Sequence, residues 1–242
     1  SPFRAANKRK SMFRALDITT SLLTSIGRAG SGAGIAKLGA RPEQMLEIYE
    51  FEACPFCRKV REALTILDLK VKVLPCPKGG ERYRTALIER GGKAMFPYLV
   101  DPNTGVEMYE SDDIVRYLFN QYGDGTVPMM LRMGPLTDIT SVLAGLPRGT
   151  RGSRATPSKA PAQPLELASY EASPFCRIVR EKLSSLELPY ILYNVGNGSP
   201  SRDAFVKRSG KMMVPWLSDP NTGSEMFESA DIVKYLVDEY AL

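Results

Sequence analysis

A fifteen-residue stretch occurs twice in this chain, half a chain apart. Residues 55–69, PFCRKVREALTILDL, match residues 174–188, PFCRIVREKLSSLEL, at ten of fifteen positions. A later block, 101–118, DPNTGVEMYESDDIVRYL, matches 219–236, DPNTGSEMFESADIVKYL, at fourteen of eighteen. The offset is 119 at the first block and 118 at the second. A period this long means two duplicated domains and not a solenoid. Whatever fold one half adopts, the other must adopt too. A weaker echo, LDITTSLL at 16–23 and TDITSVLA at 137–144, predicts a helix ahead of each unit. The expected organisation is a basic disordered leader over 1–12, a first domain over 13–125 and a second over 132–242. A flexible linker rich in Pro, Gly, Ser and Arg is expected at 145–164, and the Gly-rich stretch 27–42 is read the same way.

The order of elements is readable within each copy. MLEIYEF is apolar and ends at a cysteine turn, as a strand would. FCRKVREALTILD carries Val60, Ala63, Leu64 and Leu67 at helical spacing. VKVLP reads as a second strand, and RYRTALIERGG as a helix stopped by paired glycines. FPYLVD is a strand opened by proline, DPNTG a turn, and VEMYE the return strand of a hairpin. SDDIVRYLFNQYG closes the unit as a helix with Ser111 as its N-cap and acids in its first turn. The second copy repeats the series through LELASYE, FCRIVREKLSSL, YILYNV, RDAFVKRSG, VPWLSD, SEMFE and SADIVKYLVDEY. The fold class is therefore α/β: two tandem units, each a four-stranded mixed sheet with flanking helices.

Composition narrows the chemistry. The chain has no histidine, which removes His general bases, His-containing triads and His metal sites together. Its four cysteines, at 54, 57, 76 and 176, do not form two CxxC pairs, so no metal is expected. One CxxC in a cysteine-poor chain reads as a redox pair in a reducing compartment. Residues 1–41 hold eight Lys/Arg and one acid, leaving 24 basic and 26 acidic residues in the remainder. A body with that balance offers no footprint for nucleic acid. No apolar run reaches the ~18 residues of a membrane span. The opening SPFRAANKRK is basic and acid-free; it reads as the tail of an organellar transit peptide or as an ordinary basic terminus.

Cys54 precedes a helix that starts at Pro55. Unsatisfied N–H groups and partial positive charge at a helix N-terminus stabilise a thiolate, the form that attacks disulfides. Arg58 and Lys59 are expected to add positive charge nearby. Cys57 lies about one turn further on, within reach of a mixed disulfide on Cys54. Cys54 is thus the candidate nucleophile and Cys57 the resolving thiol; the alternative is two buried cysteines acting as small hydrophobes. In the second copy Ser173 replaces the nucleophile and Cys176 keeps the resolving position without a partner. Cys76, outside any motif, reads as a spare, partly exposed thiol.

Strand, CPFC, helix, proline-led strand and ES-led helix together resemble the thioredoxin superfamily in its glutaredoxin and glutathione transferase N-terminal form. CPFCRKVR is similar to glutaredoxins and to type-2 microsomal prostaglandin E synthase. Two such units in tandem resemble plant and algal plastid proteins of this superfamily, which implies a plastid location; otherwise the chain is expected to be soluble and intracellular. The likeness covers about 46–122 and 165–240. It implies glutathione as co-substrate, with a protein disulfide or thiol as a further partner. It also implies cis prolines at Pro97 and Pro215, where the preceding residues, Phe96 and Val214, pair with the cysteinyl backbone of glutathione. Glu110, Ser111, Glu228 and Ser229 would hold its γ-glutamyl end. Arg58, Lys93 and Lys211 are candidates for its glycine carboxylate. Read without the resemblance, these prolines merely start strands and these serines merely cap helices. Ser173 would donate a hydrogen bond to a bound glutathione thiolate. The helical domain that follows this unit in soluble glutathione transferases is not seen after either copy, so disulfide exchange is expected before conjugation. A docking scaffold that binds glutathione without catalysis is the alternative. Transferase-like chemistry or an iron–sulfur cluster on Cys54 and glutathione is a weaker one.

Overall fold

A computed structural model of the chain describes residues 34–132 and 151–242. The basic leader, the two expected preceding helices and the first part of the 145–164 linker lie outside the described residues. The first repeat comprises β1 (Leu46–Glu50), α1 (Pro55–Ile66), β2 (Val71–Pro75), α2 (Arg84–Gly91), β3 (Tyr98–Asp101), β4 (Val106–Met108) and α3 (Ser111–Tyr122), with a short α4 (Met129–Arg132) after it. The second comprises β5 (Leu165–Ser169), α5 (Pro174–Ser185), β6 (Tyr190–Asn194), α6 (Ser201–Ser209), β7 (Trp216–Asp219), β8 (Ser224–Phe227) and α7 (Ser229–Tyr240). Each repeat is the expected thioredoxin-like unit. Its first two strands pair in parallel, and the third and fourth add antiparallel.

The alternation of β1 decides which side chains meet. Leu46 and Ile48 point to one face and join Val60, Leu64, Ile114 and Leu118 of α1 and α3. Tyr49 points to the other face and joins Leu87 of α2 and Tyr98. The second repeat builds the same two layers. The DPNTG turns are held alike: buried Asp101 accepts hydrogen bonds from Tyr117 and Tyr122, and Asp219 from Tyr235 and Tyr240.

The two four-stranded sheets are one sheet. β2 pairs antiparallel with β6, Val71 opposite Leu192 and Val73 opposite Tyr190, giving the order β4-β3-β1-β2-β6-β5-β7-β8. One apolar core runs across the seam. The stretches expected to be slack are pinned where they are described. Arg41 donates to the carbonyls of Leu67 and Tyr122, each at 2.7 Å. From residue 151 the linker runs along the seam: Lys78 N–H donates to Ser153 O at 2.6 Å, and Thr156 N–H to Ser185 O at 2.7 Å. Gly152 has φ +75, and a Cβ there would lie 3.0 Å from the Glu181 backbone. Its glycine serves close approach as well as turning. No described helix is long and apolar enough to cross a membrane.

Candidate functional site

The cysteine motif sits where β1 hands over to α1. Cys54 is extended (φ −77, ψ 120) and caps α1, its Sγ accepting the N–H of Cys57 at 3.2 Å. Pro55 occupies the first helical turn, where its missing N–H costs nothing. Cys54 is 5 % exposed, whereas Cys57, Cys76 and Cys176 are fully buried. Burial first, and the contact with Cys54 second, push the Cys57 thiol well up. Burial pushes Cys76 and Cys176 up as well. Cys76 is therefore not the partly exposed thiol expected: it directly follows β2, packed with Tyr49 and with Leu87 of α2.

Ser173 occupies the same place in the second repeat. It is extended (φ −73, ψ 120), and its Oγ accepts the Cys176 N–H at 3.3 Å. Serine is among the best helix caps, so the exchange removes a nucleophile and keeps the cap.

The positive side chains behave differently from expectation. Arg58 is buried and its Nε pairs with Glu62 at 3.2 Å; Lys59 is buried and pairs with Asp112 of α3. Arg58 thus pairs one turn along its own helix with a buried carboxylate, and Lys59 with a partly exposed one on a neighbouring helix. Lys93 lies over the Tyr109 ring and Lys211 over the Phe227 ring, at 4.7 and 4.4 Å, both exposed.

Phe96–Pro97 and Val214–Pro215 are cis peptides. Glu110 and Glu228 adopt φ +67 and +69, a conformation that non-glycine residues rarely take. That glutamate occupies the N-cap position of each unit's last helix without a side-chain capping bond, and Ser111 and Ser229 are the first helical residues, not the caps. Backbone held this way in both copies marks a segment whose shape is fixed by something other than local preference. In the second repeat these parts converge: Val214, Pro215, Glu228 and Ser229 line one cavity of about 210 Å³ with Phe175 and Met213. Sequence reasoning missed the last two. Phe175, like Phe56, stands exposed directly after the motif proline. The twofold occurrence of PF before the second cysteine was the available signal.

Behind the motif lies a buried ionic cluster that joins the repeats. Glu50 ends β1 on the face of Leu46 and Ile48, and meets Arg61 of α1. Arg61 also reaches Glu52 at 3.2 Å and Glu171 of the second repeat at 3.0 Å. Arg180 reciprocates, reaching Glu52 at 3.0 Å and Glu171 at 2.9 Å. Glu171 is held down to about 2, since Arg180 and Arg61 overcome a burial that would raise it. Glu50 is raised to about 7: burial dominates, and Glu52 and Glu171 add to it against Arg61. Its counterpart in the second repeat is Ser169, to which Arg180 donates at 3.1 Å.

The family profile described as "Glutathione S-transferase, N-terminal domain" matches residues 48–126 and again 167–242. Among solved structures, a glutathione transferase of Bombyx mori, BmGSTD1, is 26 % identical over 35 % of this chain and 38 % of its own, with a TM-score of 0.31. The matched part thus spans well under half the length of that protein. No curated protein matches the chain.

Proposed function

The chain belongs to the family defined by the glutathione S-transferase N-terminal domain, which it carries twice, and from that premise we propose that its first repeat is a glutathione-linked thiol–disulfide oxidoreductase. The observation that carries this reading is Cys54 at the cap of α1, its sulfur receiving a backbone N–H and keeping a sliver of exposure while the other thiols are sealed. The Cys54 thiolate attacks one sulfur of a disulfide, forming a mixed disulfide and expelling the other sulfur as thiolate. Cys57, giving up its proton, or the thiolate of glutathione then attacks Cys54 Sγ. The bound half leaves as a thiol, and Cys54 ends in a disulfide with Cys57 or with glutathione. Further glutathione returns Cys54 to the thiolate, ending as glutathione disulfide. Because burial holds the Cys57 proton tightly, resolution by glutathione competes well with resolution by Cys57.

The test is reduction of hydroxyethyl disulfide by glutathione. Wild type is expected to turn over, Cys54→Ser to be inactive, and Cys57→Ser to keep most of its rate. An active Cys54→Ser variant would defeat the assignment. A second reading concerns the second repeat. The cavity of about 210 Å³ around Val214, Pro215, Glu228 and Ser229, in a repeat whose motif carries Ser173 in place of the nucleophile, supports glutathione binding without catalysis. Calorimetric titration of Cys54→Ser with glutathione tests it. The acid-free SPFRAANKRK segment supports a plastid address, which a fluorescent fusion of the full-length protein would check.

A further inference from the structure

The two repeats also differ on the sheet face away from the cysteine helices. In the first, the Tyr49 ring fills the space under α2, edge-on to Tyr98 at 6.0 Å and beside Leu87. Tyr49 is the fourth residue of β1, and the fourth residue of β5 is Ala168. The ring is gone, yet the walls around the vacancy have become more aromatic. Phe205 stands where the first repeat has Leu87, Trp216 where it has Tyr98, and Tyr193 where it has Leu74. These walls do not close the gap. A cavity of about 300 Å³ remains between α6 and the sheet, a volume within the range of small-molecule sites. It shares no lining residue with the cavity around Val214 and Glu228.

The first repeat supplies the rim. Pairing of β2 with β6 carries the α1–β2 turn over the opening, placing Asp68 and Lys70 there. Asp68 is engaged, accepting from Ser199 at 2.5 Å and Ser201 at 2.7 Å. Arg208, also at the cavity, is engaged by Glu166. Lys70 is exposed, with its Nζ 4.4 Å above the Tyr193 ring, and among the described residues it forms no ion pair with a carboxylate. A ring-sized apolar space thus lies beneath an ammonium group that stacks on Tyr193 and that no carboxylate of the described residues neutralises.

We infer that this inter-repeat cavity binds a small aromatic carboxylate, its ring in the space that Tyr49 fills in the other repeat and its carboxylate at Lys70. The ring is received by Ala168, Phe205 and Trp216 through dispersion and edge contacts. The lysine, tethered above an aromatic face, gives the orientation.

Trp216 is the chain's single tryptophan and lines the cavity, so its fluorescence reports occupancy directly. The probe is 3-phenylpropanoate, added to the full-length reduced protein, with 3-phenylpropanamide as its neutral counterpart. A saturable change with a Kd below about 1 mM is expected for the acid, and binding about threefold weaker for the amide. Lys70→Gln should bring the acid to the affinity of the amide. Ala168→Tyr refills the space with the side chain that the first repeat already accommodates, and should abolish the response; Ala168→Leu serves if that variant does not fold. Saturating glutathione should leave binding unchanged. No saturation up to about 10 mM in the wild type overturns the inference, as does undiminished binding in the folded Ala168 variant. Equal affinity of acid and amide overturns it, and so does displacement by glutathione.

Discussion

Sulfur and oxygen occupy the same cap in the two repeats, and the difference between them separates stability from reactivity. Cys54→Ser should cost less than about 1 kcal/mol in urea denaturation, because Ser173 already performs that capping role on α5. Brief iodoacetamide treatment followed by peptide mass spectrometry should label Cys54 ahead of Cys57, Cys76 and Cys176, in line with exposure. Preferential labelling of Cys76 would contradict its burial under α2. Glu50 makes a different prediction. Its carboxyl is raised from 4.5 to about 7, so the folded chain binds a proton there that the unfolded chain has released. A raised group contributes stability that is present below its unfolded value and lost as pH climbs through its folded value. The contribution of Glu50 to stability should therefore decline from about pH 4.5 to about pH 7, a window in which a chain with no histidine has no imidazole to titrate. Glu50→Gln, which mimics the protonated form, should flatten this slope in thermal melts across the window. A slope unchanged in the variant would assign the proton elsewhere.

At the scale of elements, α1 and α5 face each other's glutamates across the seam. Removing Arg180 leaves the buried carboxylates of Glu52 and Glu171 to share Arg61. Arg180→Met should cost about 3–5 kcal/mol by urea denaturation, far more than the exposed pair Lys234–Asp238 is worth. The elements themselves were legible in the sequence: VKVLP and SADIVKYLVDEY are strand and helix at the bounds expected, because period and turn residues are local signals. The pairing of β2 with β6 was not legible. Val71 and Val73 would read the same whether β2 were an outer strand or an inner one. The destination of Arg58 was hidden for a related reason. Beside Cys54 in sequence, it looks like a charge for the thiolate. Only the turn of the helix directs it to Glu62. The cis prolines, by contrast, came through with the family resemblance, since the proline and its neighbours recur in both copies. The Ala168 cavity left a trace visible only on comparing the repeats, as tyrosine against alanine at one strand position.

The described residues have an approximate twofold axis through the β2–β6 seam, and their charges do not quite obey that symmetry. In the ionic cluster at the seam, five buried carboxyl groups, from Glu50, Glu52, Glu62, Glu171 and Glu181, face four guanidiniums, from Arg58, Arg61, Arg177 and Arg180. Two first repeats brought together would place six carboxyl groups against four guanidiniums; two second repeats would place four against four. Fragment 151–242 should therefore self-associate more tightly than fragment 34–132 in sedimentation velocity at pH 8, with the gap narrowing towards pH 5 as Glu50 takes its proton. Equal association at both pH values would remove the cluster as the determinant. Fusion adds something that neither fragment has. Partners joined by one chain meet at an effective concentration that dilution cannot lower. A free dimer of identical subunits must carry every substitution in both places at once, so a change that disarms one thiol disarms both. Here the seam persists however scarce the protein is, and one copy can lose the cysteine at its cap while its twin keeps one.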